Sequence, residues 1–170
     1  MGILQSRRSV TGIIVGLLAI CLLAGLLIVN GKSWSSNHEG MTTEAPKFSA
    51  LLPASSTIEK FGGWKKYTPP QGSDFYVFSD NINGTAINVS QQELPEQFEK
   101  NPDGNVSSLA KNYNANRSFK AGDTTVYIGA SAKGPQSVIF HKDGLLVLIK
   151  SQDVIQDESW INYIEKLSLN

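Results

Sequence analysis

The chain has 170 residues, with 15 basic and 15 acidic side chains, a formal net charge of zero and a single cysteine. From Phe61 onward ten basic and twelve acidic residues give a net charge of −2, which excludes the clustered basic surface that nucleic-acid binding requires. A single cysteine also excludes an intrachain disulfide.

The first predicted element is a membrane-spanning helix at residues 10–29, because Val10 to Val29 is a run of twenty residues without a charge. A helix of that length spans roughly 30 Å, the thickness of the bilayer hydrocarbon. Arg7 and Arg8 precede the run, so the positive-inside rule places a tail of residues 1–9 in the cytoplasm and the remainder outside. The alternative is a cleaved signal peptide, with the same extracytoplasmic destination.

Small residues within this helix favour pairing with a second helix. Gly12 and Gly16 have the Gly-x-x-x-Gly spacing that allows two helix backbones to approach closely, which predicts a homodimer through the membrane. The bilayer itself and another membrane or envelope protein are the remaining partners that this location predicts. Cys21 lacks the sequence surroundings of a lipoprotein site, because Ile20 precedes it and an apolar run follows.

Residues 30–56 are polar, rich in Ser, Thr and Gly, and without an apolar period, so we expect a flexible stalk. The remaining residues, 57–170, are predicted to form one extracytoplasmic domain. This length is sufficient for a hydrophobic core without disulfides.

Two hairpins are predicted from dipeptides that suit type I′ turns. Asn83-Gly84 pairs Ile82 with Thr85 and Tyr76 with Gln91, which gives an apolar face and a polar face that we expect to be solvated. Asp143-Gly144 pairs Lys142 with Leu145 and Val138 with Ile149. Because both faces of this second hairpin are apolar, we expect it to be central in the sheet and covered on both sides.

The other elements complete an α+β domain, an antiparallel sheet of about five strands in two hairpins with the C-terminal helix packed on it. A strand is expected at 124–128, a loop at 129–135 and short helices at 94–100 and 106–113. Residues 101–104 are expected to stop the first of these helices. The last helix has Asp157 as its cap and an apolar face of Trp160, Ile161, Ile164 and Leu167.

One aromatic and basic cluster is a candidate contact surface. Trp64, Lys65, Lys66 and Tyr67 could stack on a sugar or contact a partner. The alternative, which we favour, is an edge strand whose lysines deter aggregation.

The residues give no catalytic, metal or cofactor site. His141 is the one histidine outside the stalk, and no cysteine accompanies it, so the ligands of a zinc site are missing. A hydrolase would depend on His141 or on a pair of carboxylates.

Four stretches carry a resemblance that covers most of residues 57–167. They are Phe61-Gly62-Gly63-Trp64-Lys65, Ile87-Asn88-Val89-Ser90-Gln91-Gln92, Leu94-Pro95, and Ser131 to Phe140. They resemble uncharacterised single-pass, membrane-anchored extracytoplasmic proteins of Saccharibacteria-type bacteria. The resemblance implies a bacterial cell-surface module and assigns no activity and no functional residues.

We therefore expect a non-enzymatic binding or sensing module, tethered to the cell membrane and facing outward. One alternative is a pilin-like subunit of a surface appendage, since pilins also join an apolar helix to an α+β head. Leu17 argues against it, because it stands five residues after Gly12, where pilins carry a glutamate. A cell-envelope hydrolase is the third hypothesis.

Overall fold

The computed structural model describes residues 41–69, 72–131 and 134–170. In chain order the elements are β1 Met41–Thr42, β2 Leu51–Pro53, β3 Lys65–Tyr67, β4 Phe75–Ile82, β5 Thr85–Glu93, α1 Pro102–Asn112, β6 Ala115–Ala121, β7 Thr124–Ser131, β8 Gly134–Lys142, β9 Leu145–Ser151, α2 Asp157–Glu165 and β10 Leu167–Leu169. Single turns of 3₁₀ helix lie at Ile58–Phe61 and Glu96–Phe98. The main sheet has the order β1-β3-β4-β5-β9-β8-β7-β6, and β2 pairs with β10 in a separate ribbon.

The predicted class is confirmed, because the main sheet is antiparallel throughout and α2 packs on it at the C-terminal end of the fold. The predicted number of strands is wrong. Seven strands of three or more residues, together with the two-residue β1, replace the expected five. The most substantial addition is β6, whose seven residues are mostly polar and exposed.

Both predicted hairpin registers are confirmed. Ile82 lies opposite Thr85 and Tyr76 opposite Gln91 in the first hairpin. Lys142 lies opposite Leu145 and Val138 opposite Ile149 in the second. All four turn residues have positive φ, as type I′ geometry demands.

The hydrophobic core has two layers, one on each face of the sheet. Every residue of β9 is buried, and this strand lies between β5 and β8 as predicted for a central hairpin. Leu146 and Leu148 of β9 pack with Val106 and Leu109 of α1 on one face. On the other face, Val147 and its neighbours pack under α2 and under the segment that contains Leu51.

The second face of the first hairpin is not solvated throughout, because part of it belongs to the apolar layer that includes Tyr67, Phe98 and α1. Ser79 and Asn81 near the turn are exposed, as expected. Farther from the turn, Phe75, Val77 and Ser90 are at most 3% exposed, which corrects that prediction.

Four local predictions are also wrong. The expected loop at 129–135 is largely strand, because β7 continues to Ser131 and β8 begins at Gly134. The Asn101-Pro102 pair begins a helix and does not end one, since Asn101 caps α1 and Pro102 occupies its first turn. Gln156 occupies the cap position of α2 in place of Asp157, and Leu167 lies in β10 beyond the helix.

The boundary of the predicted stalk at residue 57 lies too late in the chain. Leu51 and Leu52 are at most 4% exposed, and β2 pairs with β10. Residues 10–29, with Gly12 and Gly16, lie outside the described residues. Within the described ranges, neither helix is long and apolar enough to cross a bilayer.

Candidate functional site

The cluster at Trp64 to Tyr67 is not an aromatic surface. Trp64 is 8% exposed and packs edge-on against Tyr76 and Phe78 in the core layer under α2. Tyr67 is 9% exposed and packs against Phe75 in the opposite layer. The two rings therefore serve the two core layers of the sheet and are not available to stack on a ligand.

The two lysines between them lie in β3, which is covered by β1 and is therefore not the edge strand. The Lys66 ammonium lies 2.9 Å from a Glu44 carboxylate oxygen and 3.0 Å from an Asp74 carboxylate oxygen. Hydrogen bonds to Glu44 and then Asp74 raise the pKa of Lys66 above its usual range. Burial lowers the pKa of Lys65. Lys66 thus fastens the segment after β1 to the sheet.

An open cleft lies at the end of the sheet where two hairpin turns meet α2. Its volume is about 390 Å³. The turn between β6 and β7 forms one wall, the turn between β8 and β9 forms another, and Glu165 closes the side at the end of α2. The residues that line it are Ala121, Gly122, Asp123, Thr124, Thr125, His141, Lys142, Asp143 and Glu165.

The basic side chains around this cleft already have partners. His141 Nε2 lies 2.9 Å from Asp103 Oδ1 in the first turn of α1, which joins the cleft wall to that helix. Lys142 donates hydrogen bonds to the carbonyl oxygens of Ile164 at 3.0 Å and Leu167 at 2.7 Å. Lys142 therefore satisfies carbonyls at the C-terminal end of α2, where the helix dipole favours a cation.

The side chains that line the cleft are arranged in a way that suits ligand binding better than catalysis. The Thr125 hydroxyl accepts a hydrogen bond from Lys120, and His141 contacts Asp103. In the described part of the chain, therefore, the Thr125 hydroxyl is not joined to His141 as a nucleophile is joined to its base. Asp123, Asp143 and Glu165 instead offer carboxylate oxygens that accept hydrogen bonds.

Sequence reasoning singled out His141 but not the cleft around it. Asp103 lies 38 residues before His141, and Asp123 and Glu165 are brought close by the packing of α2 against β6. No local spacing in the sequence carries that information. Among the residues that the structure describes, no group of three or more His, Cys, Asp or Glu could hold a metal ion.

Comparison of the chain with protein-family models, with curated proteins and with solved structures gave no match in any of the three.

Proposed function

We propose that the chain is a non-enzymatic recognition module that a single membrane helix holds at the outer face of a bacterial cell membrane. The observation that carries the proposal is the uncharged run from Val10 to Val29, preceded by Arg7 and Arg8 and followed by a folded domain. A tethered domain works by what it contacts. Its role is therefore to bind a wall polymer, a small ligand or an envelope protein.

The cleft between the two hairpin turns is the best candidate for the contact surface of this module. It is concave, and the strand ends and turns that form it present several polar groups to a ligand. Its three carboxylates and two threonine hydroxyls are suited to a ligand that carries hydroxyl groups or positive charge.

The location is tested with a cysteine that reports on the domain. The variant pair Cys21→Ala and Ser118→Cys leaves one thiol, on an exposed residue of β6. We expect a membrane-impermeant maleimide to label Ser118→Cys in spheroplasts, whose cytoplasmic membrane is intact and whose outer layers have been removed. Labelling only after lysis, or recovery of the full-length chain in the soluble fraction, would overturn the proposed location.

Recognition is tested with a photoreactive amino acid placed in the cleft at Thr124 and, as a control, at exposed Ser79 on the uncovered part of the sheet. We expect cross-linking in cells to yield a defined adduct from Thr124 and a different or weaker pattern from Ser79. Identical patterns from both positions would remove the cleft from the proposal. The absence of any adduct at both would contradict recognition at these surfaces.

A partner within the membrane is part of the same proposal. Pairing through Gly12 and Gly16 would make the module a dimer. Gly16→Leu is expected to reduce dimer formation in a helix-association reporter. An unchanged signal would contradict pairing through this face.

A second candidate function, a cell-envelope hydrolase, is favoured by one observation, the contact between His141 and Asp103 on the wall of the cleft. If His141 acts as a base, His141→Ala abolishes any hydrolysis of wall polymers by the purified chain, while Ser79→Ala leaves it unchanged. Activity that survives His141→Ala would exclude this role for the histidine.

A further inference from the structure

The segment that enters the domain is bound to the end of the chain. In the ribbon, Leu51 of β2 lies opposite Leu169 of β10, and Pro53 lies opposite Leu167. The ribbon is extended at both ends by main-chain hydrogen bonds. The Ala54 N–H donates to the Lys166 carbonyl at 2.8 Å, and the Asn170 N–H donates to the Ala50 carbonyl at 2.9 Å.

Two side chains of the main sheet hold this ribbon in place. The Gln91 amide accepts a hydrogen bond from the Leu51 N–H at 2.8 Å and donates one to the Leu51 carbonyl at 3.0 Å, as a neighbouring strand would. Lys142, on the wall of the cleft, holds the carbonyls of Ile164 and Leu167 at the junction of α2 and β10. The ribbon is therefore fastened from β5 on one side and from the cleft on the other.

A ribbon of three residue pairs is marginal by itself, so its stability depends on these two side chains and on the leucines that it buries. Leu51, Leu52 and Leu167 are at most 4% exposed. Opening the ribbon exposes these three side chains but leaves the pairing of β4, β5, β9 and β8 intact. This separation makes the ribbon a unit that can open before the sheet unfolds.

We propose that β2 and β10, fastened by Gln91 and Lys142, form a releasable latch that sets the length of the tether. The part of this inference that concerns the tether rests on the proposed membrane anchor. With the latch closed, the chain is fixed to the domain from Met41 onward, first through β1 and the Lys66–Glu44 ion pair. With the latch open, residues 41–56 join the tether and extend its reach by roughly 50 Å.

The order of release follows from the contacts. β1 has two paired residues and an exposed ion pair, whereas β2 has three paired residues, the Gln91 bonds and two buried leucines. A pulling force applied through the tether is therefore expected to detach β1 from the sheet first and to open the latch second. The cleft stays folded on the main sheet. Because Lys142 lies both in the cleft wall and in the latch, a ligand that displaces its ammonium would open the latch.

The test is native-state hydrogen exchange on the full-length chain in lipid nanodiscs. In the wild type we expect the amides of Leu51, Leu52 and Ala54, and those of residues 167–170, to exchange together, at least tenfold faster than those of Val89 and Ile149. Lys142→Met should raise exchange in the latch a further tenfold and leave Val89 and Ile149 unchanged. Lys120→Met is the control, because exposed Lys120 donates its hydrogen bond to the Thr125 side chain and not to the latch.

A second variant and a distance measurement keep the outcome decisive. Ser168→Pro alters an exposed residue of β10 that lies opposite Leu52 in a hydrogen-bonded pair, and should open the same latch without a cavity in the core. Spin labels at Ala54→Cys, an exposed residue at the end of the latch, and Ser118→Cys, with Cys21→Ala, should give one narrow distance when Lys142 is present. Lys142→Met should add a longer, broader population of distances.

The latch is overturned if the amides of Leu51, Leu52 and Ala54 exchange at the rate of Val89 in the wild type. It is equally overturned if Lys142→Met accelerates exchange throughout the sheet. Neither result depends on where the protein lies in the cell, so failure of the latch is distinguishable from failure of the proposed anchor.

Discussion

At the scale of single residues, Gln136 connects three elements of the core. Its side-chain oxygen accepts hydrogen bonds from the Ile155 N–H at 2.8 Å and from the Trp160 indole N–H at 3.0 Å, and its amide donates to the Ile155 carbonyl at 3.3 Å. Gln136→Leu leaves these groups buried without partners, so we expect a loss of about 2–4 kcal/mol in the free energy of unfolding, measured by urea denaturation. Gln152→Leu, at an exposed glutamine, is the control. A change below about 0.5 kcal/mol for Gln136→Leu would contradict this role.

Tyr163 is expected to lower the free energy of unfolding at high pH. Burial and the carboxylate of Asp80, which accepts the phenol hydrogen bond at 3.0 Å, raise the pKa of Tyr163 above its usual range. In the unfolded chain the phenol loses its proton near pH 10, while the folded chain keeps it. The unfolded state then binds fewer protons, so this contribution is complete below about pH 10 and is lost above it.

We therefore expect the wild type to lose about 1.4 kcal/mol more per pH unit above pH 10 than Tyr163→Phe does, in urea denaturation at several pH values. Parallel curves for the two proteins between pH 10 and 11.5 would show that Tyr163 ionises alike in both states. Comparison with the phenylalanine variant removes the common contribution of the other tyrosines and of the lysines.

At the scale of elements, the two hairpins depend on backbone conformation at their turns. Gly144 has φ of +77°, and a Cβ at this position would meet no atom within 4 Å. The cost of Gly144→Ala is therefore conformational and not steric, about 1–2 kcal/mol in the free energy of unfolding. Ala130→Gly, at an exposed strand residue, is the control for an unrelated backbone change. An unaltered midpoint of denaturation for Gly144→Ala would contradict the type I′ turn.

These turns explain what could be predicted from the sequence. Asn83-Gly84 and Asp143-Gly144 each fix a register, because one turn geometry and one alternation of apolar residues agree. β6 could not be predicted because its polar residues do not alternate with apolar ones. It forms a strand by pairing with β7. β2 escaped it because its partner, β10, lies more than a hundred residues away. The cleft was hidden for the same reason, since Asp103 and His141 meet only through the packing of α1 on β8.

β6 is the edge strand at the far end of the main sheet. We expect its charged residues to prevent it from pairing with strands of other chains. Arg117 and Lys120 are exposed, and a register shift lies between Ala115 and Arg117. Charged residues and bulges both prevent edge strands from pairing with other chains. We expect Arg117→Val with Lys120→Val to form concentration-dependent aggregates, detected by light scattering. Lys47→Val with Lys100→Val removes the same charge at exposed sites outside the strands. Equal scattering from both double variants would show that the charges of β6 have no specific role in preventing aggregation.

At the scale of the whole molecule, the point where the chain enters the domain and the candidate cleft lie on the same sheet. The incoming chain reaches β3 through β1, at one edge. The cleft lies toward the opposite edge, between the turns of β6–β7 and β8–β9. Eight strands at about 4.8 Å spacing separate these edges by roughly 34 Å, so the cleft lies well away from the point where the chain enters the sheet.

The orientation of the whole chain depends, on this view, on two residues at its start. Arg7 and Arg8 are the charges that precede the apolar run, and Lys32 is the nearest charge after it. Arg7→Gln with Arg8→Gln leaves the positive bias on the other flank, so a substantial share of molecules should insert with the domain in the cytoplasm. The measurement is labelling of Ser118→Cys by an impermeant maleimide, in the Cys21→Ala background, before and after lysis. Lys100→Gln with Lys111→Gln makes the same charge change within the domain and should label as the parent does. Full labelling of the arginine variant in intact cells would show that orientation is set by something other than these charges.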